Sequence, residues 1–144
     1  MPLFEKPPTL TVLFVCEHGN VKSLIASEWF NRLARERGLS VRAASRGLSP
    51  EPEVPPAIAG RLGRDGFDLS RFEPRALAPA DLEGASRVVI IGVEPPAWLR
   101  DTALPVDRWE GIPPASESYD ASRDAIRSRI TALLDRLARR GTKR

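Results

Sequence analysis

Apolar positions fall in two rhythms along this chain, and the change from one to the other marks its elements. Leu10, Val12, Leu13, Phe14 and Val15 form a near-continuous apolar run, the pattern of a strand covered on both faces of a parallel sheet. After the polar stretch Cys16-Glu17-His18-Gly19-Asn20-Val21-Lys22-Ser23, the residues Ala26, Trp29, Phe30, Leu33 and Ala34 recur at helical spacing. That stripe predicts a helix starting near Lys22 or Ser23 and closing at the charged turn before Gly38. Ser40 to Ala44 reads as a second strand, parallel to the first because a helix lies between them. Ser45 to Pro56 is rich in Pro, Gly and Ser and is expected to be a loop.

Downstream, Pro56 opens a helix with Ala57, Ile58 and Leu62 at core spacing, and Gly66 marks its end. Pro79 to Leu82 is a short turn. Arg87 to Val93 is β-branched and apolar enough for a central strand beside the first. Glu94-Pro95-Pro96 breaks it, Ala97 to Leu104 is a short helix or turn, and Pro105 to Trp109 gives a last brief strand. From Ser116 onward Ile126, Ile130, Leu133, Leu134 and Leu137 keep one helical face, which should pack on the sheet. No internal repeat or low-complexity block interrupts the chain. The expectation is one α/β domain over residues 9–140, with residues 1–8 as an N-terminal extension and 141–144 as a basic tail.

Composition narrows the function classes. The chain has 144 residues, a length suited to a single core, with 42% hydrophobic and 28% charged residues. A formal charge of +3 gives no reason to expect a nucleic-acid partner. No apolar run reaches the length of a membrane span, so no membrane partner is expected. Met1 to Pro8 lacks the pattern of a secretory signal, and a cytoplasmic location is the default. A single cysteine excludes an internal disulfide, and the cytoplasm would keep it reduced. One Cys and one His are too few for a tetrahedral zinc site made of protein ligands alone, so neither metal nor cofactor is called for.

The chemistry concentrates in the loop after the first strand. Free N–H groups at a helix start, backed by the macrodipole, form a site for an oxyanion. A thiol placed there is favoured as thiolate, the nucleophilic form. Gly19 and Asn20 tolerate left-handed backbone angles, so the N–H groups of Glu17 to Ser23 can converge on one point. Lys22 adds charge at the rim, and Ser23 can offer its hydroxyl to the sulfur. His18 is a loop residue adding positive potential near the thiol. The segment Gly19 to Ser23 ends like a nucleotide-binding P-loop, yet the first glycine and the four-residue gap are missing, so nucleotide binding is discounted. Arg46, in the loop after the second strand, is either a solvated arginine or a second cation beside the anion. Trp29 is expected in the core, Trp98 could line a substrate mouth, and Trp109 could serve either role.

A strand ending in Cys, five residues, a cation and then Ser at a helix start resembles the low-molecular-weight protein tyrosine phosphatases and the arsenate reductases that share their fold. The family pattern is C-x5-R-S; here Cys16, Lys22 and Ser23 keep the spacing and change the cation. Ala44-Ser45-Arg46-Gly47, then Pro50, Val54 and Pro56, then Gly66-Phe67-Asp68-Leu69-Ser70 and Pro74-Arg75-Ala76-Leu77 follow in the family's order. The resemblance spans about Leu10 to Leu137. It implies a three-layer α/β domain, a four-stranded parallel sheet with helices on both faces. It also implies Cys16 as nucleophile, Lys22 and Ser23 beside it, and the segment from Glu17 to Ser23 as the phosphate-binding loop.

Two departures stand out. Lys is a compact charge that cannot grip two phosphate oxygens as the fork of Arg does. The family's Asp-Pro pair, whose Asp protonates the leaving oxygen, aligns with Pro113-Pro114, leaving Asp107 and Glu110 as the nearest carboxylates. Three readings follow: a phosphomonoesterase acting on phosphotyrosine or a small phosphomonoester, an arsenate reductase that recruits an external thiol, and a pocket that binds a free oxyanion without turning it over.

Overall fold

The computed structural model describes residues 10–142, so the stretch 1–8 and the last two residues of the basic tail lie outside it. Four strands, β1 (Leu10–Cys16), β2 (Val41–Gly47), β3 (Arg87–Ile91) and β4 (Val106–Trp109), form one sheet in the order β2-β1-β3-β4. Every pair is parallel. The α-helices are α1 (Lys22–Glu36), α2 (Pro56–Arg64) and α3 (Tyr119–Thr142), with short 3-10 helices at Pro79–Gly84 and Ala97–Asp101. The expected four-stranded parallel sheet between helical layers is the observed fold.

Side-chain alternation along β1 divides the core. Val12 and Phe14 join Ala26, Phe30, Leu62 and Ile130 in a cluster under the three α-helices. Leu13 and Val15 face the other way, onto Val88, Ile90 and Leu99. The ring of Phe14 anchors the first cluster, with Phe30 edge-on at 5.7 Å and Trp109 at 5.4 Å. These are separations at which aromatic pairs add stability beyond the area they bury. All five residues of β3 are buried, as its unbroken apolar run predicts.

Three boundaries shift, each for a local reason. β2 runs on to Gly47 and does not stop at Ala44, because its ladder with β1 continues until Gly47 stands opposite Cys16. Gly47 also bridges to Ala76 on its other side. β3 ends at Ile91, where Gly92 turns the chain at φ 69°. α3 begins at Tyr119 and not at Ser116, since the amides of Glu117 and Ser118 both turn back to the Pro114 carbonyl. The hydroxyl of Ser118 then accepts from the Ala121 amide and caps the helix.

The strand order fixes where a ligand can sit. From β1 the chain passes to β2 on one side, then crosses to β3 on the other. In such a sheet the crevice opens at the carboxyl ends of the two strands flanking the reversal. Cys16 ends one of them and Ile91 the other.

Candidate active site

The loop from Glu17 to Val21 is held by its carbonyls. The carbonyl of Cys16 accepts from the Leu48 amide at 3.0 Å, that of Glu17 from Ser49 at 2.7 Å and that of His18 from Glu51 at 3.3 Å. The Gly19 carbonyl accepts from the Ser45 hydroxyl at 3.2 Å. The amides of residues 17–21, by contrast, find no acceptor among the described residues. Carbonyls tied to β2 and its following loop, with amides left over, are what a loop needs if it is to receive an anion.

Gly19 makes the turn possible. Its φ is 67°, the left-handed region, and a Cβ there would lie 2.8 Å from the Gly47 nitrogen. A Cβ on Gly47 would in turn lie 2.6 Å from the Gly19 nitrogen. The loop and the end of β2 touch backbone to backbone, which only paired glycines allow. Asn20 does not share the left-handed turn, since among the described residues only glycines have positive φ. It is buried instead, and its side-chain amide donates to the Glu51 carboxylate at 3.0 Å and to the Glu53 carbonyl at 2.8 Å. Asn20 thus straps the segment after β2 onto the loop.

Cys16 is 7% exposed and borders the cavity that opens at the crevice. Its thiol donates to the Ser23 hydroxyl at 3.0 Å, and the Ser23 amide points at the sulfur from 3.4 Å. Ser23 lies 2.7 Å from the hydroxyl of Ser45. With Ser45 donating to the Gly19 carbonyl, the donors run from thiol to Ser23 to Ser45 to the loop backbone. Loss of the thiol proton lets the same hydroxyls reverse, so that Ser23 donates to sulfur. A thiolate here would hold one hydroxyl and one amide donor without any movement of the chain.

The cavity measures about 530 Å³. Its base is Cys16, Glu17, His18, Asn20, Val21 and Lys22, while Gly19 and Ser23 stand behind that surface and shape it. Lys22, the first residue of α1, reaches over the crevice and donates to the Ile112 carbonyl at 3.4 Å. Its Nζ passes close to Gly92, where a Cβ would stand 3.5 Å from it, an ordinary contact. His18 sits at the rim with Nδ1 2.9 Å from the Ser49 carbonyl and Nε2 4.0 Å from the Glu51 carboxylate. The upper walls are apolar: Pro55, Ala57 and Ile58 on one side, Val93, Pro114 and Ala115 on the other.

Several sequence candidates lie elsewhere. Asp107 accepts from Arg87 at 2.8 Å and from Arg136 at 3.5 Å, below the sheet's ligand end. Glu110 pairs with Arg108 at 3.3 Å. Neither carboxylate borders the cavity; among its lining residues Glu17 alone carries one. Arg46 is neither a solvated arginine nor an anion ligand, because Asp81 holds it at 3.3 Å. Trp109 is buried on Phe14, Trp29 packs on Phe67 at 4.9 Å, and Trp98 is exposed away from the cavity. Among the described residues no Trp, Tyr or Phe ring therefore lines the mouth. Sequence reading missed Ser45 as the second hydroxyl, Asn20 as a strap, and the aliphatic walls. Small residues in a Pro-rich stretch carry no periodic signal, although the Ser-Arg-Gly match to the family pattern pointed at Ser45 and Gly47.

Comparison with known proteins bears on family and fold. The family model for low molecular weight phosphotyrosine protein phosphatase matches residues 11–100. A putative arsenate reductase of Halobacterium salinarum is 27% identical over 127 residues, covering 85% of this chain and 89% of the relative. Among solved structures, an arsenate reductase from Archaeoglobus fulgidus aligns with a TM-score of 0.69 at 26% identity, over 86% of this chain and 98% of that one. A low molecular weight phosphotyrosine phosphatase from Vibrio cholerae aligns with a TM-score of 0.77 at 18% identity, over 92% and 99%, a likeness of fold alone.

Proposed function

The chain belongs to the low molecular weight phosphotyrosine protein phosphatase family, and from that premise we propose that it hydrolyses phosphomonoesters with Cys16 as nucleophile. The observation that carries this reading is the loop 17–21, whose amides have no acceptor among the described residues, following directly on a thiol that borders an open cavity. Sulfur attacks phosphorus in line, the bond from phosphorus to the ester oxygen breaks, and that oxygen leaves with its electron pair. The loop amides hold the equatorial oxygens, where charge builds in the transition state. Lys22 supplies a point charge at the rim. Water then attacks the phosphocysteine, the sulfur–phosphorus bond breaks, and Cys16 departs as thiolate toward the Ser23 hydroxyl. Apolar walls above the cup suit an organic group on the phosphate better than a bare anion.

Leaving-group chemistry follows from the missing acid. Positioned proton donors contribute about a hundred- to ten-thousand-fold. With Asp107 and Glu110 turned away, esters of acidic alcohols such as phenols should be turned over far faster than alkyl esters.

Arsenate reduction is the second reading, favoured by the arsenate reductases among the relatives and by that same missing acid. Arsenate carries protons of its own, so expulsion of water from it asks less of the protein. Cys16 would attack arsenic(V) with loss of water. An external thiol would then attack the Cys16 sulfur, releasing arsenite with the electron pair and leaving a mixed disulfide that a second thiol reduces.

One assay separates the two. Steady-state release of phenol from an aryl phosphate is measured beside arsenite formation with an added small thiol, for wild type and Cys16→Ser. Phenol release lost in Cys16→Ser supports the hydrolase. Thiol-dependent arsenite formation without phenol release transfers the function to reduction, and neither reaction leaves an oxyanion-binding protein.

A further inference from the structure

The catalytic cup does not end at its own mouth. A second depression of about 580 Å³ shares Ala57, Ile58, Ala115 and Ser116 with the cavity above Cys16 and continues from it along α2. Its floor is one face of that helix, Ala57, Gly60, Arg61 and Arg64, at the i, i+3, i+4, i+7 spacing that aligns side chains. The first two are small, and a Cβ on Gly60 would meet nothing within 4 Å. The opposite wall is the turn from Ser116 to Asp120 that precedes and opens α3. A narrow trough thus leads away from the anion site between α2 and that turn.

Its charges are distributed unevenly. Arg61 and Asp120 are paired to one another, and Arg123 also reaches Asp120 at 3.5 Å. Glu117 lies directly after Ser116, at the cup end. Arg64 is exposed at the far end and has no partner among the described residues. It lies seven residue steps along the helix from Ala57, about 10 Å along the axis, which an extended chain covers in about three residues.

Resting on the phosphatase reading, we propose that this trough seats the extended peptide flanking a phosphorylated residue, and that Arg64 selects a carboxylate about three positions from it. Glu117 disfavours a carboxylate immediately beside the phosphorylated residue, so the selection is for distance as well as sign.

The test compares turnover of phosphotyrosine peptides bearing a single Asp three positions before or after the phosphorylated residue with that of the matching Ala peptide. An aryl phosphate is run alongside. An exposed ion pair supports about a two- to fivefold preference in kcat/KM for one of the two Asp peptides. The ratio should fall to about one in Arg64→Ala and be restored in Arg64→Lys. Gly60→Leu, which fills the trough while favouring the helix, should depress peptide turnover more than aryl phosphate turnover. Equal turnover of Asp and Ala peptides by wild type, or a preference that survives Arg64→Ala, overturns the proposal. Aryl phosphate turnover without any peptide turnover also overturns it and leaves the hydrolase reading standing. Absence of turnover on every phosphate ester sinks the hydrolase reading and this proposal with it.

Discussion

Gly47→Ala probes how the anion cup keeps its shape. Gly47 lacks positive φ, so alanine accepts its backbone, and the whole effect comes from one added carbon. That carbon would stand 2.6 Å from the Gly19 nitrogen, 2.7 Å from the His18 carbonyl carbon and 3.0 Å from the Gly19 Cα, where ordinary contact begins at 3.4 Å. All three are backbone atoms that cannot swing aside as a side chain would. β2 cannot yield either, because the Gly47 amide donates to Arg75 at 2.8 Å and its carbonyl accepts from Leu77 at 2.9 Å. The loop must retreat by about 0.8 Å, carrying the amides of His18 and Gly19 out of register with the sulfur. Misplacement on that scale costs on the order of a hundredfold in rate, while overpacking costs about 1–3 kcal/mol of stability. The assay is kcat/KM for an aryl phosphate and the inhibition constant of inorganic phosphate, with thermal melts to confirm folding. Gly63→Ala, where an added Cβ meets nothing within 4 Å, serves as control and should be neutral or stabilising. A folded Gly47→Ala protein with wild-type turnover and phosphate affinity would refute the claim that contact between loop and β2 sets the cup.

Three other substitutions probe the same site and its surroundings. Lys22→Arg should tighten phosphate inhibition and raise turnover, because a fork replaces a point charge; a titration of phosphate inhibition decides, and loss of both would mean that the cup is fitted to lysine. Asp107→Asn should lower stability by about 2 kcal/mol, since the Arg87 side chain paired with it is only 11% exposed, yet leave the pH profile of kcat in place; a vanished limb of that profile would instead make Asp107 the proton donor. Tyr119 is pushed above the usual tyrosine range by burial and by its hydrogen bond to the Asp65 carboxylate. Its contribution is therefore full below the unfolded value of about 10 and fades as pH rises through the higher folded value. Denaturant melts of Tyr119→Phe should show a shallower alkaline loss of stability than wild type, and equal slopes would contradict the assignment.

The parts of the molecule that repeat along the chain were readable in the chain. The run from Val12 to Val15 and the β-branched block around Val88 to Ile91 are buried strands. The stripe Ile126, Ile130, Leu133, Leu134 and Leu137 is the buried face of α3. The strand end at Cys16 and the helix start at Lys22 were legible through one spacing, because a strand, a tight turn and a helix start all fall within local sequence. What escaped depends on contacts between distant residues. Ser45 belongs to β2 only because its register with β1 carries it to Phe14, and Asn20 reveals its role only when Glu51 and Glu53 come to it. Asp107 was, with Glu110, only the nearest carboxylate along the chain to the missing acid. Parallel pairing with Val89 places it in β4, where Arg87 and Arg136 take up its charge.

The central claim is that the sulfur of Cys16 forms a bond to phosphorus. Rapid acid quench of the enzyme during turnover of an aryl phosphate, followed by peptide mass spectrometry, addresses it directly. The prediction is one phosphoryl group on the peptide containing Cys16, gone in Cys16→Ser. Turnover with no phosphorylated enzyme, or with the group carried on His18, would contradict it.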